Sequence, residues 1–273
     1  MSKAEFLTDE FSLPVDNIDK TLYYYALTLT YENTNQLVEY KLPEDFSFVF
    51  YKKGDIKDWV NIHISSKEFS NYKKGIEYFH SFFDSFKEEL GKRCLFVVDN
   101  KTKEKIATAI ISKLTKDEYG YEAAVDFVAI KKEYQGRNLS KSLISRIIKL
   151  ANELGYNKII LHTQTHTWLV VKICLDMGFE PLILNNDYRG WQIIKTITNH
   201  EKLNFVNSIS VDKIYSKTAR RIYKKLKSMY DTDFNYTIWY KNNLNLVYVL
   251  EKEEHIFKYY KGFDDVYLEE LKE

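Results

Sequence analysis

Residues 121–178 alternate between two kinds of apolar pattern, and this alternation constrains the fold more than any other feature of the sequence. YEAAVDFVAI (Tyr121–Ile130) is mostly apolar, which is typical of a strand buried on both faces. An amphipathic helix is then predicted from the three- and four-residue spacing of Leu139, Leu143, Ile147, Leu150 and Leu154. NKIILHTQT repeats the strand pattern, and TWLVVKICLDMGF repeats the helix pattern up to Gly178. The order strand, helix, strand, helix predicts βαβ units in a mixed α/β sheet.

Strands and helices are also predicted on either side of this region. FSFVFY (Phe46–Tyr51), CLFVVDN and KIATAIISKL have strand composition, and the polar NKTKEK joins the last two as a hairpin. Asp55 is a candidate N-cap for a short helix through Ile64. Tyr72–Leu90 has one apolar helical face, which Gly91 would end. FEPLILNNDYRGWQIIKTIT predicts a final hairpin.

The chain divides into three predicted segments. Residues 1–45 would form an N-terminal extension that packs on the core, with a strand-like run at Thr21–Tyr31. Residues 46–198 would form the main domain, and residues 199–273 a small C-terminal α+β appendage. That appendage begins with a basic amphipathic helix at 212–230, whose charges we interpret as a solvated face.

Composition excludes several classes of protein. The 273 residues are 45% hydrophobic, which is enough for a core, and no apolar run approaches the ~20 residues of a membrane span. The two cysteines, Cys94 and Cys174, do not suggest a disulfide framework. The 40 basic residues nearly equal the 39 acidic ones, whereas nucleic-acid binders usually have a basic excess. We therefore expect a soluble cytoplasmic protein with no membrane and no nucleic-acid partner.

The turn EYQGRNLSKSLI joins the buried strand to the first of the two helices. The first N–H groups of a helix have no partner within it, and the helix dipole adds positive potential, so an anion is a natural ligand there. Gly136 allows a positive φ, Asn138 tolerates left-handed geometry, and Ser140 is small. Arg137 and Lys141 add charge. The turn matches neither a P-loop nor a dinucleotide fingerprint, so by itself it indicates either a phosphate site or only a tight turn.

Residues 125–179 resemble the GNAT superfamily of acyl-CoA-dependent N-acetyltransferases. The family signature has arginine or glutamine first, glycine fourth, and glycine or alanine sixth. QGRNLS aligns with it through Gln135, but has Asn138 in the fourth position and Ser140 in the sixth. MGF (Met177–Phe179) is similar to the family's "GF" after its last crossover helix.

The resemblance implies a fold and a donor. The fold would be a mixed, mostly antiparallel central sheet, splayed between its fourth and fifth strands and flanked by helices. The donor would be acetyl-CoA, with no metal. Its pyrophosphate would bind N–H groups of residues 137–141, and an N–H near Val128 would polarise the thioester carbonyl. The donor-binding residues implied are Val128, Ala129, Ile130, Gln135, Gly136, Arg137, Asn138, Leu139, Ser140, Lys141, Thr167 and Lys172.

Asp126 is the candidate general base. A regular strand would place Asp126, Val128 and Ile130 on one face, and an unpaired carboxylate is costly to bury. The alternative is a paired structural carboxylate, and Glu122 is the second candidate. Cys174 stands where the family commonly has its general-acid tyrosine, and the alternative there is a small apolar filler.

Two histidines and two aromatic residues are further candidates for a metal site and for the acceptor site. His162 and His166 are four residues apart without a third ligand nearby, so no metal site is expected. Tyr188 and Trp191, in the predicted final hairpin, would either line the acceptor site or pack in the core.

The leading hypothesis is an acyltransferase that moves an acetyl or other short acyl group from acyl-CoA to an amine of a small molecule or amino acid by direct transfer. The alternative is a catalytically degenerate relative that binds a CoA ester as a sensor or assembly module. Asn138 and Cys174, which depart from the family pattern, motivate that alternative. Whether the protein is a homodimer stays open.

Overall fold

The computed structural model describes residues 18–69, 71–114, 120–121, 123–184, 187–216 and 220. Beyond them it describes the backbone of residues 236–241, 245–252, 255–259 and 269–271.

A mixed sheet forms the centre of the protein. Within the described residues its strands are β1 (Ala26–Glu32), β2 (Phe46–Phe50), β3 (Cys94–Asp99), β4 (Lys105–Lys113), β5 (Ala123–Ile130), β6 (Lys158–Gln164) and β7 (Glu180–Leu182). Their order across the sheet is β2-β3-β4-β5-β6-β1-β7. The β5–β6 pair is parallel and the other neighbouring pairs are antiparallel. The predicted mixed, mostly antiparallel sheet flanked by helices is confirmed.

The helices in this part of the chain are α1 (Ile56–Ser65), α2 (Tyr72–Phe83), α3 (Leu90–Arg93), α4 (Leu139–Glu153), α5 (Trp168–Asp176) and α6 (Tyr188–Thr198). The predicted single helix over 72–90 is wrong in its second half. It ends at Phe83, and Phe86, with φ −139°, leaves helical geometry. Gly91 lies inside α3 rather than ending a helix. An apolar stripe at helical spacing continues across such a kink, so periodicity alone does not reveal it.

The sheet opens between β5 and β6, as the resemblance implied. These strands pair only at Ala124 with Ile160 and at Val125 with Leu161. From Asp126 onward β5 has no ladder partner in β6 among the described residues. A wedge-shaped gap therefore starts at Asp126.

Two apolar clusters cover the two faces of the sheet. We call the first the α1–α2 cluster; it includes Trp59, Val60, Ile62, Phe79, Phe83, Ile110 and Ala129. We call the second the α4–α5 cluster; it includes Leu29, Val125, Leu143, Ile147, Val171 and Leu175. The sheet is thus buried on both faces, which explains the nearly continuous apolar character of β5.

The N-terminal strand has a larger role than the sequence indicated. β1 lies between β6 and β7 and pairs antiparallel with both. Residues 26–32 therefore belong to the sheet and are not an addition packed on it. The division at residues 45/46 and 198/199 stays a prediction.

The predicted final hairpin is wrong, because residues 188–198 form α6 and β1 takes the place beside β7. Gly190 explains how α6 lies against β1. A Cβ at Gly190 would come within 2.7 Å of Tyr25 Cβ and 2.8 Å of Leu27 Cδ2, so only glycine permits this approach.

The C-terminal region contains a separate antiparallel sheet. Its strands are β8 (Tyr236–Lys241), β9 (Asn245–Lys252), β10 (His255–Tyr259) and β11 (Glu269–Leu271), in the order β11-β10-β9-β8. Most of the predicted basic helix at 212–230 lies outside the described residues. No helix in the described part of the chain is long and apolar enough to cross a bilayer.

Candidate active site

The first of two adjoining pockets lies at the N-terminus of α4, and we call it the α4 pocket. Its volume is about 550 Å³. Its walls come from the end of β5, the turn into α4, the apolar side of α5, residues 40–41, Ile18, and the segment after α1 that contains Ser66 and Glu68. Its lining includes Tyr40, Lys41, Val128, Ala129, Ile130, Gln135, Gly136, Asn138, Ser140, Lys141, Thr167, Leu169, Val170 and Ile173.

The turn into α4 has a backbone geometry that its residue types tolerate. Gly136 has φ +77° and Asn138 has φ +61°, so both residues are left-handed. The Asn138 side chain makes no capping hydrogen bond, and the first turn of α4 contains no acidic residue. The first N–H groups of α4 thus remain available to an anion beside the pocket.

Nine of the twelve residues implied as donor-binding line this pocket: Val128, Ala129, Ile130, Gln135, Gly136, Asn138, Ser140, Lys141 and Thr167. The side chains of the other three lie elsewhere. The Arg137 guanidinium lies 4.7 Å from the ring centroid of Tyr134, and Leu139 is buried in the α4–α5 cluster. Lys172 Nζ is paired with Asp176 Oδ2 at 2.8 Å.

A β-bulge interrupts β5 where the sheet opens. Asp126 pairs with Ile110 and Ala129 with Thr108, so two residues of β5 stand opposite Ala109 alone. The first of these two, Phe127, has φ +53°. A bulge of this kind bends the strand and frees backbone groups from the ladder.

The bulge also corrects the predicted side-chain directions. Directly paired residues of antiparallel strands share a face, so Asp126 lies on the face of Ile110, which belongs to the α1–α2 cluster. Val128 and Ile130 pack with the α4–α5 cluster on the opposite face. The expectation that Asp126, Val128 and Ile130 share one face is therefore wrong, because it assumed unbroken alternation along β5.

Asp126 lines the second pocket, of about 310 Å³, which we call the Asp126 pocket. The other lining residues are Glu68, Tyr78, Phe82, Val125, Phe127, Val128, Leu161, His162, Thr163, Gln164, Thr167 and Val170. The pocket occupies the gap between β5 and β6, and His162 lies on the β6 side of it.

The environment of Asp126 shifts its acidity. Burial raises the pKa of the Asp126 carboxyl, while the Ser112 hydroxyl and His162 partly oppose that rise. Ser112 Oγ is itself buried and has no hydrogen-bond partner of normal geometry. A carboxylate with a raised pKa that lines a cleft is suited to accept a proton near neutral pH.

The two pockets meet at four shared lining residues: Glu68, Val128, Thr167 and Val170. A ligand in the α4 pocket and a ligand in the Asp126 pocket would therefore meet beside the bulge of β5.

Sequence reasoning missed Glu68 and His63. His63 is completely buried, and its Nδ1 lies 2.6 Å from Glu68 Oε2. The Trp59 ring centroid lies 4.2 Å from that of His63. No sequence motif indicates this pair. Glu68 reaches the pockets only because the loop after α1 folds over their junction.

Cys174 is not at the site. It is completely buried in the α4–α5 cluster and lines neither pocket, and burial raises the pKa of its thiol to about 12. This position fits the alternative of an apolar filler, and the role of Cys174 as proton donor stays a prediction. The tyrosine that the family commonly has at this position would be directed into the core of this chain.

The remaining predicted residues have other positions. Trp191 is completely buried, and its Nε1 donates to Asp187 Oδ2 at 3.3 Å. Tyr188 is exposed on α6, and neither aromatic lines these two pockets. His166 is buried and bonded through Nε2 to the Leu22 carbonyl oxygen at 3.0 Å. Glu122 lies outside the described residues.

No group of three or more histidine, cysteine, aspartate or glutamate side chains in the described part of the chain is arranged to hold a metal ion.

Comparison with known proteins finds a similarity to one family. Residues 56–169 match the model of the Acetyltransferase (GNAT) family. No curated protein matches the chain significantly. A GCN5-related N-acetyltransferase from Sphaerobacter thermophilus is similar in structure, with a TM-score of 0.48 and 9% identity over 66% of this chain and 53% of that one. A GNAT-family acetyltransferase from Colwellia psychrerythraea has a TM-score of 0.44 and 12% identity over 59% of this chain and 55% of that one.

This chain thus spans about half of the length of both similar structures. The matched residues begin at α1, contain the β5 bulge and the turn into α4, and end in α5. Residues 56–169 of this chain are therefore similar to acetyltransferases of the GNAT family.

Proposed function

We propose that this protein transfers an acetyl or other short acyl group from acyl-CoA to the amine of a small molecule, directly and without an acyl-enzyme. The observation that carries the proposal is the junction of the two pockets. An open helix N-terminus borders one pocket and a half-buried carboxylate lines the other, and they adjoin at Val128. Donor and acceptor bound in these pockets would meet beside that residue.

The α4 pocket suits the phosphates and the pantetheine arm of acyl-CoA. Unpaired N–H groups of the first turn and the Lys141 ammonium favour an anion, and the absence of acidic residues in that turn of α4 removes a repulsive charge. The Cβ position of Gly136 has open space around it, so a phosphate can approach the backbone closely. The volume lies in the range of roughly 300–1,000 Å³ that is usual for ligand sites.

The end of β5 suits an extended ligand with amide groups. Val128 has no ladder partner in β4 or β6 among the described residues. Its N–H is therefore available to a ligand in the adjoining pocket.

The bound donor supplies an electrophilic thioester carbonyl. In the net reaction an amine N–H bond and the thioester C–S bond break, while an amide C–N bond and a thiol S–H bond form. Asp126 accepts the proton of the amine, directly or through a water molecule. The Val128 N–H donates a hydrogen bond to the carbonyl oxygen, where negative charge develops.

Water protonates the departing thiolate. The side chains of α5 that line the α4 pocket, Leu169, Val170 and Ile173, have no proton to donate. Thiols have a pKa near ~8.5, so the thiolate is an adequate leaving group without a protein acid.

The test is calorimetric titration of the protein with acetyl-CoA, followed by assay of free thiol release with a panel of amines. Binding followed by amine-dependent thiol release supports the proposal. Asp126→Asn should retain binding and lose release. Binding without release on any amine would favour a CoA-ester sensor, and no binding would overturn the proposal entirely.

A further inference from the structure

We infer that the acceptor is a primary amine that carries an aromatic or alkyl group and no carboxylate. This inference rests on the proposed function and names the acceptor class for the Asp126 pocket. It follows from the convergence of two carboxylates and an aromatic wall on one small cavity beside Val128.

The two carboxylates come from different elements of the fold. Asp126 belongs to β5, and Glu68 belongs to the segment between α1 and α2. Both carboxylates line the Asp126 pocket together with Tyr78. The pKa of Tyr78 is raised first by burial, then by Asp126 and then by Glu68. An ammonium group bound beside Tyr78 would therefore lie within the field of both carboxylates.

Glu68 is held in place by a buried partner. His63 Nδ1–H donates to Glu68 Oε2 at 2.6 Å, and the His63 side chain is completely buried. Aromatic rings fix the imidazole, with centroid distances of 4.2 Å to Trp59 and 5.9 Å to Phe127. A carboxylate held by a buried, packed donor loses little conformational entropy when it binds a cation.

The aromatic wall suits the apolar part of an amine. Phe127 lies 4.9 Å from Phe82 and 5.9 Å from Tyr78, measured between ring centroids. Tyr78 and Phe82 are 44% and 36% exposed, so their rings are accessible to a ligand and are not hidden in the core. Aromatic faces attract cations and bury apolar groups, which favours an arylalkyl or alkyl ammonium ion.

A carboxylate on the acceptor would have no favourable partner here. The described residues that line the Asp126 pocket include neither lysine nor arginine, and His162 already lies near Asp126. The α-carboxylate of an amino acid would instead face Asp126 and Glu68, and like charges placed together are repelled. This charge arrangement selects against amino acids as acceptors and narrows the proposed class to amines.

The experiment compares three compounds that share one ring and differ only beside the amine: tyramine, L-tyrosine methyl ester and L-tyrosine. Binding of each to the full chain is measured by saturation-transfer NMR with and without CoA, and kcat/KM is measured with acetyl-CoA. We expect tyramine and the ester to bind and react, and the free acid to be weaker by about tenfold or more, which is the effect of a repulsion near 1.4 kcal/mol. The ester separates the effect of charge from the effect of size.

The matched variants are Glu68→Gln and Glu32→Gln. Glu68→Gln should reduce the preference for tyramine over tyrosine, whereas Glu32→Gln, on β1 and paired with Lys158, should leave it unchanged. Equal or tighter binding of tyrosine, or no binding by any of the three compounds, would overturn the inference. Because amine binding is measured separately, a protein that selects tyramine but fails to bind acetyl-CoA would overturn the proposed function and retain the selectivity of the pocket.

Discussion

His63 Nδ1 lies 2.6 Å from Glu68 Oε2. His63 packs against Trp59 of the α1–α2 cluster, whereas Glu68 lies at the junction of the two pockets. The histidine is completely buried, whereas the carboxylate side chain is 37% exposed. One end of the pair is thus fixed by packing and the other is accessible to a ligand. The pair therefore offers a way to alter the junction of the two pockets, which Glu68 lines, through His63, which lines neither.

Replacing His63 by phenylalanine should weaken acceptor binding selectively. The ring fills the same aromatic surroundings but leaves Glu68 without its donor, so the carboxylate is free to turn toward water. We expect the KM for the amine to rise by about tenfold, the equivalent of one charge-assisted hydrogen bond of about 1.5 kcal/mol. Steady-state kinetics should show kcat nearly unchanged. A fall in kcat together with the rise in KM would indicate a general structural defect.

Asp126→Asn should reduce activity while stabilising the fold. Removal of a general base typically lowers kcat by about 10²- to 10⁴-fold, measured at saturating acetyl-CoA. Burial raises the folded-state pKa of Asp126 above its ordinary value of 3.8, so the folded protein binds this proton more tightly than the unfolded chain. Stability is then lost as the pH rises above 3.8, since the unfolded state releases the proton first.

The stability part of this prediction is checked by thermal unfolding at two pH values. At pH 7 the Asp126→Asn variant should melt at a higher temperature than the wild type, and the difference should shrink as the pH approaches 3.8. A lower melting temperature at pH 7 would contradict the assignment of Asp126 as a carboxylate destabilised by burial.

Gly136→Ala should weaken donor binding through the backbone alone. Gly136 has φ +77°, and no atom lies within 4 Å of an added Cβ, so strain arises only from the left-handed conformation. That strain costs about 1–2 kcal/mol, which corresponds to a loss of roughly tenfold in acetyl-CoA affinity if the turn relaxes away from this conformation.

The matched control is Gly155→Ala at the other end of α4. Gly155 has φ +89° and equally open space, but it lines neither pocket. It should lower thermal stability and leave the Kd for acetyl-CoA unchanged in calorimetry. Equal loss of affinity in both variants would show that α4 stability, and not the turn, controls donor binding.

The two thiols should be unreactive in the folded protein. Cys94 and Cys174 are completely buried, and burial raises the pKa of each thiol to about 12. A colorimetric thiol reagent at pH 8 should therefore label neither residue until denaturant is added. Cys174→Ala should lower the free energy of unfolding by about 1 kcal/mol and leave kcat unchanged. A large fall in kcat would instead support a role for Cys174 as the proton donor.

Acid should destabilise the protein through His166. Burial lowers the pKa of this histidine to about 4, so the folded state binds the proton less readily than the unfolded chain, whose histidine titrates near 6.5. Stability is complete above pH 6.5 and falls as the pH decreases from 6.5 to 4, by on the order of 3 kcal/mol.

The free energy of unfolding, measured with denaturant between pH 4 and pH 7, tests whether His166 causes this loss of stability. His166→Gln should be less stable at pH 7, because the bond to the Leu22 carbonyl is altered, and should show a flatter pH profile than the wild type. An unchanged slope in His166→Gln would contradict the assignment.

Local signals in the sequence predicted much of the donor side of the site. Gly136 and Asn138 are residues that tolerate left-handed geometry, and both adopt it, because tolerance of positive φ is a property of the residue itself. The strands and helices from Lys105 to Asp176 also follow their apolar periodicity closely. These features depend on residues near one another in the chain.

The acceptor side depends on contacts that no local pattern specifies. The bulge at Phe127 places Asp126 and Val128 on opposite faces, and that register is set by pairing with Ile110 and Thr108 on β4. The resemblance places Cys174 at a family position, but whether its side chain lies in a pocket or in the core depends on how α5 packs.

The sequence by itself determined the alternation of strands and helices, the open turn at the start of α4 and the resemblance to acyltransferases, because each is encoded in spacing and in backbone preferences over a few residues. Only the tertiary structure decided that β1 completes the sheet, that residues 188–198 are a helix, and that Glu68, Asp126 and Tyr78 line one cavity. Those facts rest on pairings and packing between distant residues, whose energies are set by which surfaces bury one another.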